Sequence, residues 1–477
     1  MDGIPDRFAV LFRVLRVLCR IALWGALGLF VLFLAVLGIN AFDERPSPQA
    51  LALLQPPENR YAPDENIYLA LAGFDAAPGQ SVVAAGQARI ARYDERVDAM
   101  LRDPLVGLQN LAATDPVGLK FEGSIDCCHP REPSFWEDIR ANAVKIEQSV
   151  TQNRELYQRY LALFDLPGYY ETARPSYMAP VYIVPTHQVR NLFLASTARQ
   201  MQSGDDAQTQ AALRSLHQDI NLWHRVLTSE GTLISRMLAV SFLQTDFSIL
   251  SDLIADPRAS IPQNMEEFIP QFELSDWNIS NAFAAEFRHI AFFYRQTQAL
   301  ADNHWQPPDT SSAERVWNRI SSQFFKLNAT ENLHAKVVSD LAGLATPDPS
   351  TFSAEQARYR KWEQVNSDYF SIRTLYNPIG KILVATAVPA YKNYPLRPYD
   401  AAALQRLVRL SFEIRRQRIA PSAVAQFMTL HPEWSTHPAD GRAFVWKPGT
   451  AEIAIQPVAE RGAGRGFSVQ MWKAPAN

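Results

Sequence analysis

The chain predicts a mainly α-helical protein with a transmembrane helix at its N-terminus and a small antiparallel β-sheet at its C-terminus. Three observations carry this. An uncharged apolar run lies near the start, apolar residues recur at steps of three and four through the middle, and the spacing turns to alternation after His437. Of 477 residues, 47% are hydrophobic, which is ample for one large core or two smaller ones. The formal net charge of −3 provides no concentrated basic field, so nucleic acid is not an expected partner.

Residues Ile21 to Phe42 contain no charged side chain. Roughly 20 apolar residues cross the hydrocarbon core of a bilayer. Arg7, Arg13, Arg16 and Arg20 precede the run, and Asp43, Glu44 and Arg45 follow it. The basic excess before the span holds residues 1–20 in the cytosol and sends the rest across. Trp24 lies near one interface, where indole is commonly found. A cleaved signal peptide has an apolar region of about 7–15 residues and a small-x-small site. This run is longer, and Ile39 stands where a small side chain is wanted. Arg16-Val17-Leu18 lacks the small residues of a lipoprotein signal before Cys19. The expectation is a signal anchor in a bacterial inner membrane, with the lipid bilayer as partner and the main domain in the periplasm.

Residues 43–63 are polar and proline-bearing and read as a spacer. Residues 64–398 read as the exported helical domain. Ser134 to Phe164 carries one apolar stripe through Ile139, Ala143, Ile146, Val150, Tyr157, Tyr160 and Phe164, which predicts a single long helix. Ser134 with Glu137 predicts a capping box, and Pro167-Gly168 a stop. Residues 166–185 form an aromatic, proline-rich connection. Thr186 is expected to cap a helix to about Gln202. Further helices are expected over Ala207–Thr228 and Thr232–Ala255, then near 275–302, 312–345, 353–370, 379–390 and 399–419, with a short one over Pro421–Leu430. Residues 399–477 form the last unit. Phe444 and Trp446, then Ile453 and Ile455, then Phe467, Val469 and Met471 alternate with polar neighbours and predict two or three strands. A sheet this small needs a covering helix, and the 399–419 helix is the natural candidate. Gly462 to Gly466 reads as a hairpin turn rather than a phosphate loop, because no helix follows it.

Asp126-Cys127-Cys128-His129 is the most unusual stretch. Thiol and imidazole groups are metal ligands, so Cys127, Cys128 and His129 are candidates for a copper or zinc site. Adjacent residues point in divergent directions, and no second Cys/His cluster follows at a ligand spacing. An oxidising exterior favours a Cys127–Cys128 disulfide instead, although vicinal cysteines form a strained ring. A pair of structural thiols is the plainer alternative. His217 and His224 sit seven apart, too far along a helix to share one ion easily. Arg406, Arg409, Arg415, Arg416 and Arg418 read as a solvated helix face, or more sharply as a contact with anionic lipid or a partner. No G-x-S-x-G, H-E-x-x-H, Walker or C-x-x-C motif is present, so no cofactor is expected and no catalytic residue is assigned.

Three stretches carry a resemblance: Asn66 to Phe74, Thr232 to Ala239, and Asn377 to Lys381 continuing through Tyr391, Tyr394, Arg397 and Asp400. On these the chain resembles a group of proteobacterial proteins with an N-terminal membrane anchor and a helical exported domain. The resemblance implies no activity, cofactor or catalytic residue. Such proteins often place two separated cysteines where this chain has Cys127-Cys128, which weakens the disulfide inference. The function expected is a non-catalytic envelope scaffold that binds another envelope component. The alternative is an exported hydrolase with a site assembled from scattered carboxylates.

Overall fold

The computed structural model describes residues 4–102, 118–124, 128, 134–176, 184–256, 259–302, 310–345, 350–366, 372–387, 391, 393–459 and 467–472. Helix α1, Ile4–Ile39, has 36 residues and is about 54 Å long at 1.5 Å per residue. Its stretch Leu15–Ile39 is long and apolar enough to cross a membrane and is not buried against the rest of the chain. The helix ends at Asn40, which is fully buried. The Asn40 amide donates to the carbonyls of Val36 (2.9 Å) and Leu375 (2.7 Å), and its Oδ1 accepts from the Asn377 N–H at 2.8 Å.

Residues 43–63 lie along the domain. The Asp43 carboxylate accepts from the N–H groups of Asn328 (2.9 Å) and Ala329 (3.1 Å) at the start of α13, Leu327–Leu344. A carboxylate suits the positive end of the helix dipole there. Ser47 caps α2, Pro48–Leu54, which packs on α13 and on α11, Ser280–Asp302. Asn66 then caps α3, Ile67–Ala72, all of whose residues are buried, and α3 packs on α4, Val82–Arg102.

The helix expected over 134–164 is three helices: α5 Phe135–Ala141, α6 Ala143–Gln152 and α7 Arg154–Ala162. The breaks fall at Asn142 and Asn153. Each turns its side-chain amide back onto the carbonyl four residues earlier, at 2.9 Å. Such bonds offer the backbone an alternative to continued helix. Asn153 also clasps both backbone groups of Glu122, at 2.7 and 3.0 Å. The expected capping box is absent, because Ser134 Oγ donates to Asp138 at 2.7 Å instead.

Then follow α8 Val184–Met201, α9 Asp206–Thr228 and α10 Leu233–Ala255. Asp205 caps α9 by accepting from Ala207 N–H at 2.8 Å. After α11 come α12 Ser312–Ser322, then α13, α14 Phe352–Asn366, α15 Pro378–Ala387, α16 Arg397–Arg416, α17 Val424–Leu430 and α18 Pro432–Ser435. The helix expected over 312–345 is thus interrupted before Leu327. Helix α10 stands at the centre. It packs along α16 and lies against α9, α11 and the sheet. By composition it also suits a membrane, but it is mostly buried inside the domain.

The sheet is three-stranded and antiparallel, in the order β1 Val445–Lys447, β2 Glu452–Ile455, β3 Phe467–Gln470. Ile453 pairs with Val469 and Ile455 with Phe467, and these four side chains are buried. The alternation read from the sequence holds. The helix running alongside β3 is α10, with α16 packed on α10 in turn. The Gly462–Gly466 turn lies outside the described residues.

Three of the five arginines expected to form a solvated face, Arg406, Arg409 and Arg415, are tied into the fold, while Arg416 and Arg418 are exposed. Arg415 donates to the carbonyls of Ile254 (2.8 Å), Asp256 (2.6 Å) and Ala259 (2.6 Å), closing the C-terminus of α10. Arg406 donates to the Thr436 carbonyl at 2.9 Å. Arg409 pairs with Glu266 and Glu413, at 2.7 and 2.8 Å. Arg416, paired with Glu413 at 2.6 Å, is 55% exposed. Replacing Arg415 by Ala should therefore cost about 1.5–3 kcal/mol, the range for hydrogen bonds from a charged donor. Arg416→Ala should stay within roughly 0.5 kcal/mol. Denaturant unfolding of the two variants in detergent measures the difference, and equal midpoints would show that Arg415 does not cap α10.

Candidate functional site

The N-terminus of α10 is where polar chemistry gathers. The first four N–H groups of a helix have no partner inside it. Here two carboxylates from distant segments supply partners. Glu171 accepts from the Thr232 N–H (3.0 Å), from Thr232 Oγ1 (3.1 Å), from Tyr169 OH (2.8 Å) and from Ser235 Oγ. Glu286, on α11, accepts from the Leu233 N–H at 3.0 Å. Gly231 makes this approach possible, since a Cβ there would stand 2.8 Å from Tyr169 and 2.9 Å from Glu171.

Beside this cap opens a pocket of about 350 Å³ between α10, α11 and α15. Its walls are mostly apolar, with Ile234, Ile290, Phe293 and Leu383, and its polar groups include Glu286, His289 and Tyr391. Glu286 and His289 are three apart on α11 and so share one helix face. Burial pushes the Glu286 carboxyl up to about 7; the Leu233 hydrogen bond opposes the shift and the Glu171 charge adds to it. Burial also pulls His289 down, keeping the imidazole neutral. Its Nδ1 lies 2.7 Å from the Ser176 carbonyl oxygen and 3.1 Å from the Ser176 nitrogen. Ser176 Oγ is 2.5 Å from Tyr93 OH. Deeper in, Tyr294 OH meets His334 Nδ1 at 2.8 Å, and burial lowers His334 to about 4.

Helix α15 forms the outer wall, and its placement follows from Asn377. The Asn377 side chain accepts from Lys326 N–H (2.9 Å) and donates to Thr330 Oγ1 (2.9 Å). Its φ of +51° is a left-handed conformation that asparagine tolerates. Gly380 then lets α15 approach α13, because a Cβ would fall 1.9 Å from Thr330 Oγ1.

A second polar cluster is sealed in the core. Arg190 of α8 bonds Asp219 of α9 through Nε (3.0 Å) and Nη2 (2.8 Å), and also pairs with Asp246 of α10. Tyr160 OH donates to Asp219, and Trp223 Nε1 reaches the same carboxylate at 3.2 Å. The guanidinium lies over the Phe242 ring, 4.2 Å from its centroid. Burial drives the Asp246 carboxyl well above its usual range despite the Arg190 charge.

The sequence-derived candidates fall elsewhere. Cys128 is buried, with φ +74°. Cys127 and His129 lie outside the described residues, and with them the metal and disulfide readings. His217 Nδ1 is 3.4 Å from the Phe268 carbonyl oxygen. His224 stacks on Phe272 at 3.6 Å, and burial lowers it to about 4. The two serve separate local contacts. Among the described residues no group of three or more His, Cys, Asp and Glu side chains converges as a metal site would need. No protein-family model, curated protein or solved structure matches the chain significantly.

The raised Glu286 carboxyl fixes a pH dependence. In the folded chain it titrates near 7, against 4.5 for the free group. A raised acid binds its proton more tightly when folded, so its contribution to stability falls as pH rises from 4.5 to 7 and is flat above. Glu286→Gln keeps an acceptor for Leu233 and removes the titration. The variant should gain on wild type across that window, by about 3 kcal/mol in all at 1.36 kcal/mol per pH unit. Thermal unfolding of both proteins from pH 5 to about 8 tests this. A constant offset between the two curves would show that Glu286 is not a buried titrating carboxyl.

Proposed function

We propose that the chain is a bacterial inner-membrane protein held by α1, with residues 1–20 in the cytosol and its helical domain in the periplasm. In this reading the domain is a non-catalytic scaffold that binds another envelope component. The pocket between α10, α11 and α15 receives an apolar group from that component, held by the apolar walls Ile234, Ile290, Phe293 and Leu383. A mainly apolar concavity with a few fixed polar groups is the general form of a binding site.

The observation that carries this reading is where Glu286 and His289 of the pocket, and Glu171 beside it, are spent. Glu286 holds the Leu233 N–H, Glu171 holds Thr232 and Ser235, and His289 holds the Ser176 backbone. Each is engaged in closing the protein's own backbone and hydroxyl groups. The signal anchor rests on the uncharged run of α1 and the four arginines before it. The resemblance to anchored proteobacterial proteins points the same way. One observation favours the exported hydrolase instead: Glu286, titrating near 7, shares the pocket with neutral His289. A carboxyl tuned near neutrality is suited to general acid–base work.

One experiment separates these. The full-length protein, drawn from its own membranes in mild detergent, is examined by native mass spectrometry beside Ala387→Trp, which adds bulk to the pocket wall. The scaffold reading expects a bound envelope component on wild type, absent from Ala387→Trp and retained by Glu286→Gln. Release of a chemically altered product, abolished by Glu286→Gln, would establish the hydrolase. Equal recovery on wild type and Ala387→Trp would remove the pocket from the account. A reporter active only outside the cytosol should work after Asn477 and be silent before Ile21; the reverse pattern would overturn the orientation.

A further inference from the structure

Helix α12 has its apolar face on the outside. Its start is self-contained: Glu314 N–H donates to Ser311 Oγ at 3.3 Å, and Ser311 N–H donates to Glu314 at 2.8 Å. None of its residues is buried. Ala313, Val316, Trp317 and Ile320 recur at steps of three and four and draw one stripe. On a water-soluble domain such a stripe faces the core. Here Val316 is 61% and Trp317 67% exposed.

The position of this stripe identifies its partner. Two residues past α12, the Phe324 ring meets Phe33 of α1, with centroids 6.4 Å apart. Phe33 lies seven residues before Asn40, about 10 Å down the helix axis at 1.5 Å per residue. Interfacial amphipathic helices bury their apolar face about 5–10 Å into the headgroup–acyl boundary. Arg319 lines a polar cavity with Lys326 and Asp43, at the point where α1 leaves off. Helix α15, with Ile382 also exposed, begins one residue after Asn377, which is bonded to Asn40. Two outward apolar surfaces therefore flank the exit of the same helix, and Arg315 and Arg319 on α12 suit lipid phosphates.

We propose that α12 lies in the interface of the bilayer that α1 crosses, with Val316, Trp317 and Ile320 among the acyl chains, so that the domain is seated on the membrane. This rests on the reading of α1 as a span. A seated domain has a fixed height and tilt, which a single tethering helix alone would not give it.

Tryptophan quenching by brominated acyl chains tests the seat and the span separately. The full chain is placed in vesicles of phosphatidylethanolamine and phosphatidylglycerol, with and without brominated lipid, as wild type, Trp317→Phe and Trp24→Phe. Both positions are exposed, so neither change disturbs the core. The expected result is that each substitution lowers the bromine-quenched part of the emission. If Trp24→Phe lowers it and Trp317→Phe does not, α1 is in the bilayer, α12 is not, and the proposal is overturned. If neither lowers it, the span reading itself fails and the proposal falls with it. If Trp317 is shielded from brominated lipid and from aqueous iodide alike, protein covers the stripe, a second copy included, and the lipid seat is wrong.

Discussion

Helix α10 is apolar enough to cross a membrane and is instead enclosed by its own domain, so both of its ends must be closed by protein groups. Leu233, Ser235 and Arg236 in its first turn and Leu253, Ile254 and Ala255 in its last are buried. A buried polar group without a partner costs about 1–3 kcal/mol. The structure meets this requirement with charge of the right sign at each end. Glu171 and Glu286 stand at the N-terminus, and Arg415 spans three carbonyls at and beyond the C-terminus. Both assignments agree with the helix dipole. Arg236, on the first turns of α10, does the same for α9, donating to the carbonyls of Val226 and Leu227. Burial brings it down to about 10, so it remains charged at neutral pH.

The pocket follows from the same requirement. A carboxylate brought inward to cap a helix loses water, and its pKa rises. That is how Glu286 comes to titrate near neutrality beside an apolar opening. A perturbed carboxyl in a cleft is a functional-site candidate on physical grounds, but structural caps perturb pKa values too. The Arg190 cluster shows the structural case in pure form. Arg190, Asp219 and Asp246 are sealed in the core, more deeply buried than Glu286, and bonded to one another with no cavity beside them that the structure assigns to a ligand. Removing one partner from such a group typically costs about 3–5 kcal/mol, although the intact group need not add net stability.

Periodicity made most of the fold legible. The α9 and α10 pair, the break at Ser203–Asp206, the start of the sheet and the inward side chains Ile453, Ile455, Phe467 and Val469 were all readable from spacing. Helix breaks were not, because Asn142 and Asn153 interrupt an unbroken apolar stripe with local hydrogen bonds. Arg406, Arg409 and Arg415 depart from the solvated face for a related reason, while Arg416 and Arg418 keep to it. A charge run looks solvated until the carbonyls it must cap are known. The pocket was not found at all. Glu286 and His289 fit no motif, and Glu171 sits in a loop far away in sequence. The one available signal was a titratable pair on a helix face that also carries Ala282 and Phe293, together with Arg236 and Asp246 inside a stretch otherwise fit for a membrane.

The central claim is that α10 is an internal helix closed at both ends by side chains from elsewhere in the chain. Hydrogen–deuterium exchange of the full-length protein, measured in detergent micelles and again in lipid nanodiscs, tests it most directly. The account predicts that amides of α10 are among the slowest in the protein, including Leu233 in the first turn, and that their rates are the same in both surroundings. Protection of Leu233–Ala255 that appears only in the nanodisc would mean that α10 enters the bilayer, and would contradict the account.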